Sequence, residues 1–235
     1  AARATHSASG GGSPRHLLEL SHDELGVIVD GLADPLQPIV AVALSSTCLG
    51  LRTPLRAALE VLKGRHERAV ALCRKLKTSC AEMRDAEKLD WFNKSLTADL
   101  FSSIFTADDA ATLGTLLHWT PGLEILALQQ NSLGDRGMQA LCEGMGCGAA
   151  PSLRNLDLFG NQIGPVGAEA LAAALGRGAM PKLEFLGVGC NPIGKQGVAA
   201  LGTPLRKLPA LKKLRLTDCE IDDEGVATLV ADLGK

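Results

Sequence analysis

The chain has 235 residues, of which 46% are apolar and 21% charged, a balance typical of a globular protein. Its 24 Lys and Arg residues against 26 Asp and Glu residues give a formal charge of −2, which argues against a strongly basic nucleic-acid-binding protein. The sequence holds no run near the roughly 20 apolar residues that a membrane-spanning helix needs.

Residues 1–16 are predicted to be a disordered leader. They are rich in Ala, Ser and Gly, and the GGGSP run at 10–14 is typical of a flexible chain. The alternative is the stub of an organellar transit peptide, which shares this acid-poor composition. The expected location is therefore the cytoplasm or nucleus, or an organelle such as a plastid if the leader is a transit peptide.

Residues 17–51 predict short helices. Ser21 followed by Glu24 is a capping-box pattern, and Leu25, Ile28 and Leu32 share one helical face. This region resembles the F-box family, although Ser21 stands where that family usually has Pro and Trp does not follow Cys48. The matching positions are Leu20, Glu24, Leu25, Ile28, Leu32, Pro35, Leu44 and Cys48.

The F-box resemblance implies a Skp-type subunit of a cullin ubiquitin ligase as partner. The residues expected to bind it are Leu20, Glu24, Leu25, Ile28, Leu32 and Pro35. The alternative is that these helices are a generic cap on the domain that follows.

Residues 52–94 are predicted to form a basic amphipathic linker helix and a cap. Arg52–Lys77 holds eight basic and two acidic residues. Its apolar residues recur at helical spacing, which predicts a helix docked by one face. The alternative is that the basic face recruits an acidic partner or a membrane surface.

Four later segments superimpose on one pattern. They begin at Leu123, Leu153, Leu183 and Leu211, at spacings of 30, 30 and 28 residues. Each fits LxxLxLxx(N/C)x(L/I) and is followed by a GxxGxxxL phrase, with Asp222 in place of the first Gly in the last copy. The alternating Leu residues predict a short strand, and the Gly-containing phrase predicts a helix.

These residues resemble the leucine-rich repeat family, in its ribonuclease-inhibitor-like subclass. The resemblance implies an α/β fold: a right-handed solenoid with parallel strands and convex helices, preceded here by the all-helical N-terminal region. Strands are expected near 124–129, 154–159, 184–189 and 212–217, and helices after Gly137, Gly167, Gly197 and Gly225.

The repeat region is predicted to cover residues 95–235, as one degenerate and four regular repeats. The degenerate unit places a strand at 95–103, since residues 105–113 align with 133–141. Asn131, Asn161 and Asn191, with Cys219 in the fourth repeat, fall where the chain leaves each strand. We expect their side chains to bond open backbone groups of neighbouring turns.

The residues between the buried strand positions point outward, and the resemblance places them on a concave face. We predict that this face binds a protein partner, with Phe159 and Phe185 as anchors beside pockets at Gly187 and Gly189. The predicted binding residues are Ile125, Gln129, Asn155, Asp157, Phe159, Phe185, Lys213, Arg215 and Thr217.

The sequence favours a binding protein over an enzyme. Its seven Cys residues form no CxxC pair, its five His residues form no HxH or HExxH spacing, and the motifs of common hydrolases and nucleotide-binding loops do not occur. We therefore expect no metal, no cofactor and no nucleic-acid partner. The leading hypothesis is an F-box/leucine-rich-repeat substrate adaptor; the alternative is a structural scaffold or accessory subunit of a larger complex.

Overall fold

The computed structural model describes residues 33–47, 49–91 and 105–234, and the account below is confined to them. The chain divides into two compact units, of which the first contains residues 33–34 and 38–63 and the second residues 35–37 and 64–234. Five of the residues predicted to bind a Skp-type subunit lie outside the described residues, as does Cys48. They are Leu20, Glu24, Leu25, Ile28 and Leu32.

The described part of the first unit is helical. It contains α1 (Ile39–Thr47) and the first half of α2 (Leu49–Lys75), a helix that runs through most of the basic stretch. Ala41 is fully buried, whereas Ile39 and Val42 are 69% and 53% exposed. This unit therefore presents apolar side chains to solvent along α1.

The second unit alternates strands and helices after the end of α2. Within the described ranges, five strands form one parallel sheet whose spatial order follows the sequence. The sheet consists of β1 (Lys88–Asp90), β2 (Ile125–Ala127), β3 (Asn155–Asp157), β4 (Phe185–Gly187) and β5 (Lys213–Arg215). The helices are α3 (Cys80–Arg84), α4 (Ala107–Leu116), α5 (Gly134–Gly144), α6 (Pro165–Gly176), α7 (Gly194–Arg206) and α8 (Asp223–Leu233).

The four predicted strands are confirmed, each as a three-residue core of the expected range. The helices begin three or four residues earlier than predicted, at or next to the first Gly of each pair, or next to Asp222 in the last repeat. Gly134 and Gly194 have φ of 59° and 63°, so the chain turns in the left-handed region that glycine tolerates. In the last repeat the Asp222 carboxylate accepts a hydrogen bond from the Gly225 N–H and caps α8 instead.

The strand of the first, degenerate repeat lies earlier than the sequence predicted. The whole of the expected range, 95–103, falls among residues 92–104, which lie outside the described residues. The strand that pairs with β2 is Lys88–Asp90, in register Leu89 to Leu126. The repeat pattern did not predict this strand, because Leu89 precedes Leu126 by 37 residues, not 30, and because Trp91 occupies a Leu position of the pattern.

The core of the second unit runs along one side of the sheet. Leu126, Leu156 and Leu186, at the centres of three neighbouring strands, are each 0% exposed. At the N-terminal end, Leu72 of α2 and Met83 of α3 are 1% and 0% exposed and belong to the same buried cluster. Helical residues before the first strand therefore close this end of the core.

The last repeat leaves its apolar side chains open. Val198 and Leu205 of α7 are 0% and 1% exposed, whereas Val226 and Leu233 at the same repeat positions in α8 are 49% and 39% exposed. Each earlier repeat is covered by the one that follows it. We call the corresponding surface of the last repeat the terminal face, formed by Leu214, Leu216, Ile221, Val226, Val230 and Leu233.

Candidate protein-binding surface

The Asn residues after the strands form the predicted hydrogen-bonded ladder. The Asn131 N–H donates to Oδ1 of Asn161 (2.9 Å), and the Asn161 N–H donates to Oδ1 of Asn191 (2.8 Å). Asn161 Nδ2 donates to the carbonyls of Leu128 (2.7 Å) and Leu158 (3.0 Å). Asn161 is fully buried, so these bonds satisfy backbone groups that water does not reach.

The ladder weakens at Cys219. The Cys219 thiol donates to the Val188 carbonyl (3.3 Å), as an Asn amide would. A thiol lacks the second, accepting atom, and the Asn191 N–H makes no recorded hydrogen bond in the described parts of the chain. The Ile193 N–H donates instead to the Asn191 carbonyl (2.7 Å).

The outward strand residues form rows across the sheet. The strand register brings Ile125, Asn155, Phe185 and Lys213 into one row. A second row contains Ala127, Asp157, Gly187 and Arg215. Of the nine predicted binding residues, Lys213, Arg215 and Thr217 are exposed and the other six are half-buried. We name these nine residues the strand face.

Phe185 is half-buried and lies close to two cations of the next strand. Lys213 Nζ lies 5.7 Å and Arg215 Cζ 5.8 Å from the centre of its ring. Both distances are within the range of a cation–π contact. These contacts restrain Phe185, and its role as an anchor together with Phe159 stays a prediction.

The spaces beside Gly187 and Gly189 are also occupied. A Cβ at Gly187 would lie 2.8 Å from Oδ1 of Asp157, and one at Gly189 would lie 3.2 Å from the Phe159 ring. The glycines thus make room for side chains of the preceding strand. The predicted pockets for a partner at these two positions are absent for this reason.

A ladder of alternating charges crosses the sheet just before the strands. Arg154 Nε lies 3.6 Å from Glu124 Oε1, Arg154 Nη1 lies 2.5 Å from Glu184 Oε1, and Lys212 Nζ lies 2.6 Å from Glu184 Oε2. Hydrogen bonds from Lys212 and Arg154 lower the pKa of the Glu184 carboxyl. The sequence analysis missed this ladder, although its signal is plain: the residue after the first Leu of each repeat reads Glu, Arg, Glu, Lys.

Pro35 is the only predicted F-box-like binding residue within the described parts of the chain. It is buried, and its carbonyl lies 2.7 Å from Nδ1 of His66. This contact joins two segments of the second unit.

The described residues hold no candidate metal centre. They hold no group of three or more His, Cys, Asp or Glu side chains that could bind a metal ion. Burial raises the pKa of the Cys73 and Cys142 thiols to about 12, with Cys80 adding to the shift at Cys73, so neither is a thiolate nucleophile at neutral pH. None of the helices in the described ranges combines the length and apolar character that crossing a membrane requires.

Comparison with known proteins identifies the repeats. A family model described as a leucine-rich repeat matches residues 123–142, 149–172 and 207–230. A search of curated proteins finds no match. Leucine-rich repeats are typical of protein–protein interaction modules, and the match points to no catalytic family. The chain therefore contains leucine-rich repeats at these three sites, with their strands side by side in one parallel sheet.

Proposed function

We propose that this chain is a non-catalytic protein–protein interaction module that binds its partner through the strand face. The observation that carries the proposal is the register of the rows, which brings outward residues from four separate repeats onto one continuous surface. The repeats stack as a right-handed solenoid of the ribonuclease-inhibitor-like subclass, with the strand face on its concave side.

The strand face favours an acidic partner at its C-terminal end. Lys213 and Arg215 are exposed and flank Phe185, so their charges are available and their positions are restrained. Asp157 accepts a hydrogen bond from the Phe159 N–H (3.1 Å), which orients a single acidic group in the centre. A partner with an acidic patch beside a basic residue complements this arrangement.

The test compares two double variants that change charge equally. Lys213→Glu with Arg215→Glu alters the strand face, whereas Arg206→Glu with Lys207→Glu alters the exposed end of α7. Proteins captured by the tagged full chain are quantified by mass spectrometry. We expect the strand-face variant to lose at least tenfold of its partner and the control to retain it; retention by both would refute a strand-face partner.

The more specific proposal is an F-box/leucine-rich-repeat adaptor of a cullin-type ubiquitin ligase. It rests on the residues from Leu20 to Pro35 that resemble an F-box. Exposed Ile39 and Val42 on α1 support it, because uncovered apolar side chains on short helices favour a protein partner. The Skp-type subunit binds these helices while the strand face selects the substrate.

Binding of the full chain to a purified Skp-type subunit tests the adaptor. We expect Ile28→Asp to abolish binding without changing the melting temperature, and Val166→Asp, an exposed site on α6, to leave both unchanged. Absence of wild-type binding, with Ile28→Asp melting early, would show that the N-terminal helices are a cap. The protein would then be a scaffold or accessory subunit of a larger complex.

A further inference from the structure

Two cysteines lie in contact where α2 ends and α3 begins. The Cys80 thiol donates to the Cys73 sulfur (3.7 Å), and the Cys73 thiol donates in turn to the Met83 sulfur (3.8 Å). Among the six cysteines that the structure describes, Cys73 and Cys80 are the pair whose sulfur atoms are in recorded contact. A disulfide bond measures about 2.05 Å, so the two sulfurs need to approach each other by about 1.7 Å for oxidation to join them.

The turn between the two helices holds this pair together. The Thr78 N–H donates to the Cys73 carbonyl (2.9 Å), and Lys77 has a left-handed backbone (φ 56°), as in a Schellman closure of a helix. On the other side of the turn, the Ser79 hydroxyl accepts from the Glu82 N–H (3.1 Å), and the Glu82 carboxylate accepts from the Ser79 N–H (2.7 Å). Hydrogen bonds on both sides of the turn thus fix how α3 follows α2.

The two thiols differ in their exposure to solvent. Cys73 is 2% exposed and belongs, with Leu72 and Met83, to the buried cluster at the N-terminal end of the core. Cys80 is half-buried and packs against that cluster from outside. Burial raises the pKa of the Cys73 thiol to about 12, and Cys80 adds to the shift. A small oxidant in solvent therefore meets the Cys80 sulfur first, and Cys73 reacts second.

Cys190 and Cys219, which lie on neighbouring repeats, contact oxygen atoms instead. The Cys190 thiol donates to the Asp218 carboxylate (3.6 Å), and the Cys219 thiol donates to the Val188 carbonyl (3.3 Å). Their sulfurs are thus directed away from a thiol partner, which distinguishes them from the pair at the end of α2.

We propose that Cys73 and Cys80 are a modification site, an oxidisable dithiol that a hydroperoxide converts into a disulfide. The Cys80 sulfur attacks one oxygen of hydrogen peroxide, the O–O bond breaks, and the other oxygen leaves as water, so that Cys80 becomes a sulfenic acid. The Cys73 sulfur then forms the S–S bond, and the sulfenic hydroxyl leaves as water with the Cys73 proton. In all, two thiols lose two electrons and two protons, and one peroxide molecule becomes two water molecules.

The disulfide fastens the last turn of α2 to the first residue of α3. It closes the loop of residues 73–80 and so restricts the unfolded chain around this turn. Met83 has a flexible side chain that follows the Cys73 sulfur when it moves, so the folded core accommodates the new bond. The oxidised chain therefore resists unfolding at the N-terminal end of the repeats more than the reduced chain does. This site is separate from the strand face and does not depend on its partner.

Peptide mapping of the full chain tests the site. The chain is treated with hydrogen peroxide, its remaining thiols are alkylated, and it is digested with trypsin without reduction. Trypsin cuts after Arg74 and Lys77, so the disulfide joins peptides 69–74 and 78–84 at a mass two hydrogen atoms below their sum. We expect this linked pair in the wild type and also in Cys142→Ser, the matched control for loss of a thiol that is 2% exposed.

Two variants establish the order of the steps. Cys73→Ser should accumulate a sulfenic acid at Cys80, which dimedone labels, whereas Cys80→Ser should leave Cys73 reduced because peroxide reaches it poorly. Thermal unfolding measures the consequence. We expect the melting temperature of the wild type to rise by about 3–8 °C on oxidation and to return with dithiothreitol, while that of Cys80→Ser stays unchanged.

Three outcomes would overturn the proposal. Absence of the linked pair, with Cys80 carried on to sulfinic or sulfonic acid, would show that the two sulfurs do not join. Linkage of Cys80 to Cys147 or to a second molecule would show that exposed thiols react at random. A linked pair that lowers the melting temperature would show that the bond strains the fold instead of fastening it.

Discussion

The two ends of the repeat array differ in how they end the core. At the N-terminal end, Leu72 and Met83 are buried with the repeats, and Lys75 forms an ion pair with Asp109 of α4. At the C-terminal end, Val226 and Val230 remain 49% and 63% exposed. A stack of repeats cannot bury its own last layer, so each end needs a different kind of residue or a partner. In the described fold, helical residues cover the N-terminal end, whereas the last described layer is exposed.

The largest effect is expected from the covered end. Leu72→Ala should reduce the free energy of unfolding by about 2–5 kcal/mol, because it leaves a cavity in the core. Val230→Ala, its counterpart at the open end, should change the free energy of unfolding by about 0.5 kcal/mol or less. Urea unfolding measures both, and similar midpoints for the two variants would mean that the two ends are equivalent.

Within one repeat, loss of a buried Asn of the ladder should cost more stability than loss of an outward Asn. Asn161→Ala should destabilise the protein by about 1–3 kcal/mol more than Asn155→Ala, since it leaves buried backbone groups unpaired. Asn155 lies half-buried on the strand face and is the matched control. Chemical unfolding of both variants measures the difference. Equal losses of stability would show that the Asn161 hydrogen bonds add nothing to the free energy of unfolding.

A substitution at Cys219 is expected to increase the stability of the last repeat. Cys219→Asn would supply an oxygen acceptor for the Asn191 N–H and a donor for the Val188 carbonyl, extending the ladder by one rung. We expect about 0.5–1.5 kcal/mol of added stability. Thermal unfolding measures it, and Cys219→Ala is the control that removes the thiol without adding an amide. A Cys219→Asn variant no more stable than Cys219→Ala would contradict the prediction.

The Asp109 contact should make the covered end sensitive to acid. Burial disfavours the charged Asp109 carboxyl, but hydrogen bonds from Lys75 and Thr106 outweigh this and lower its pKa. Because the pKa is lower in the folded state, the stabilisation is complete above the ordinary carboxyl pKa and is lost as the pH falls through the depressed one. Asp109→Asn should therefore be less stable than wild type at pH 7, and the gap should close in strong acid. Urea midpoints measured from pH 7 to pH 2 test this; a gap that persists at pH 2 would exclude Asp109 as its source.

The sequence determined the repeats because their signal is local. Leu126, Leu156 and Leu186 alternate with outward residues, and Asn161 and Asn191 recur at a fixed distance from them. A strand with a buried central residue limits the residue types allowed at its few positions. A turn that needs a buried amide does the same. Four copies of these restrictions predicted the strand order, the parallel register and the ladder, all of which the structure confirms.

Tertiary structure alone decided which repeat positions are covered and by what. The strand at Lys88–Asp90 was not predicted, because packing against β2 tolerates Trp91 in a Leu position and a spacing of 37 residues. The cations beside Phe185 lie on the next strand, 28 and 30 residues away, so the sequence alone did not show these contacts. Val226 has the residue type of a core position, and only the absence of a following layer in the described fold exposes it. Burial depends on neighbours that are remote in sequence, whereas the repeat pattern specifies only the residues within each layer.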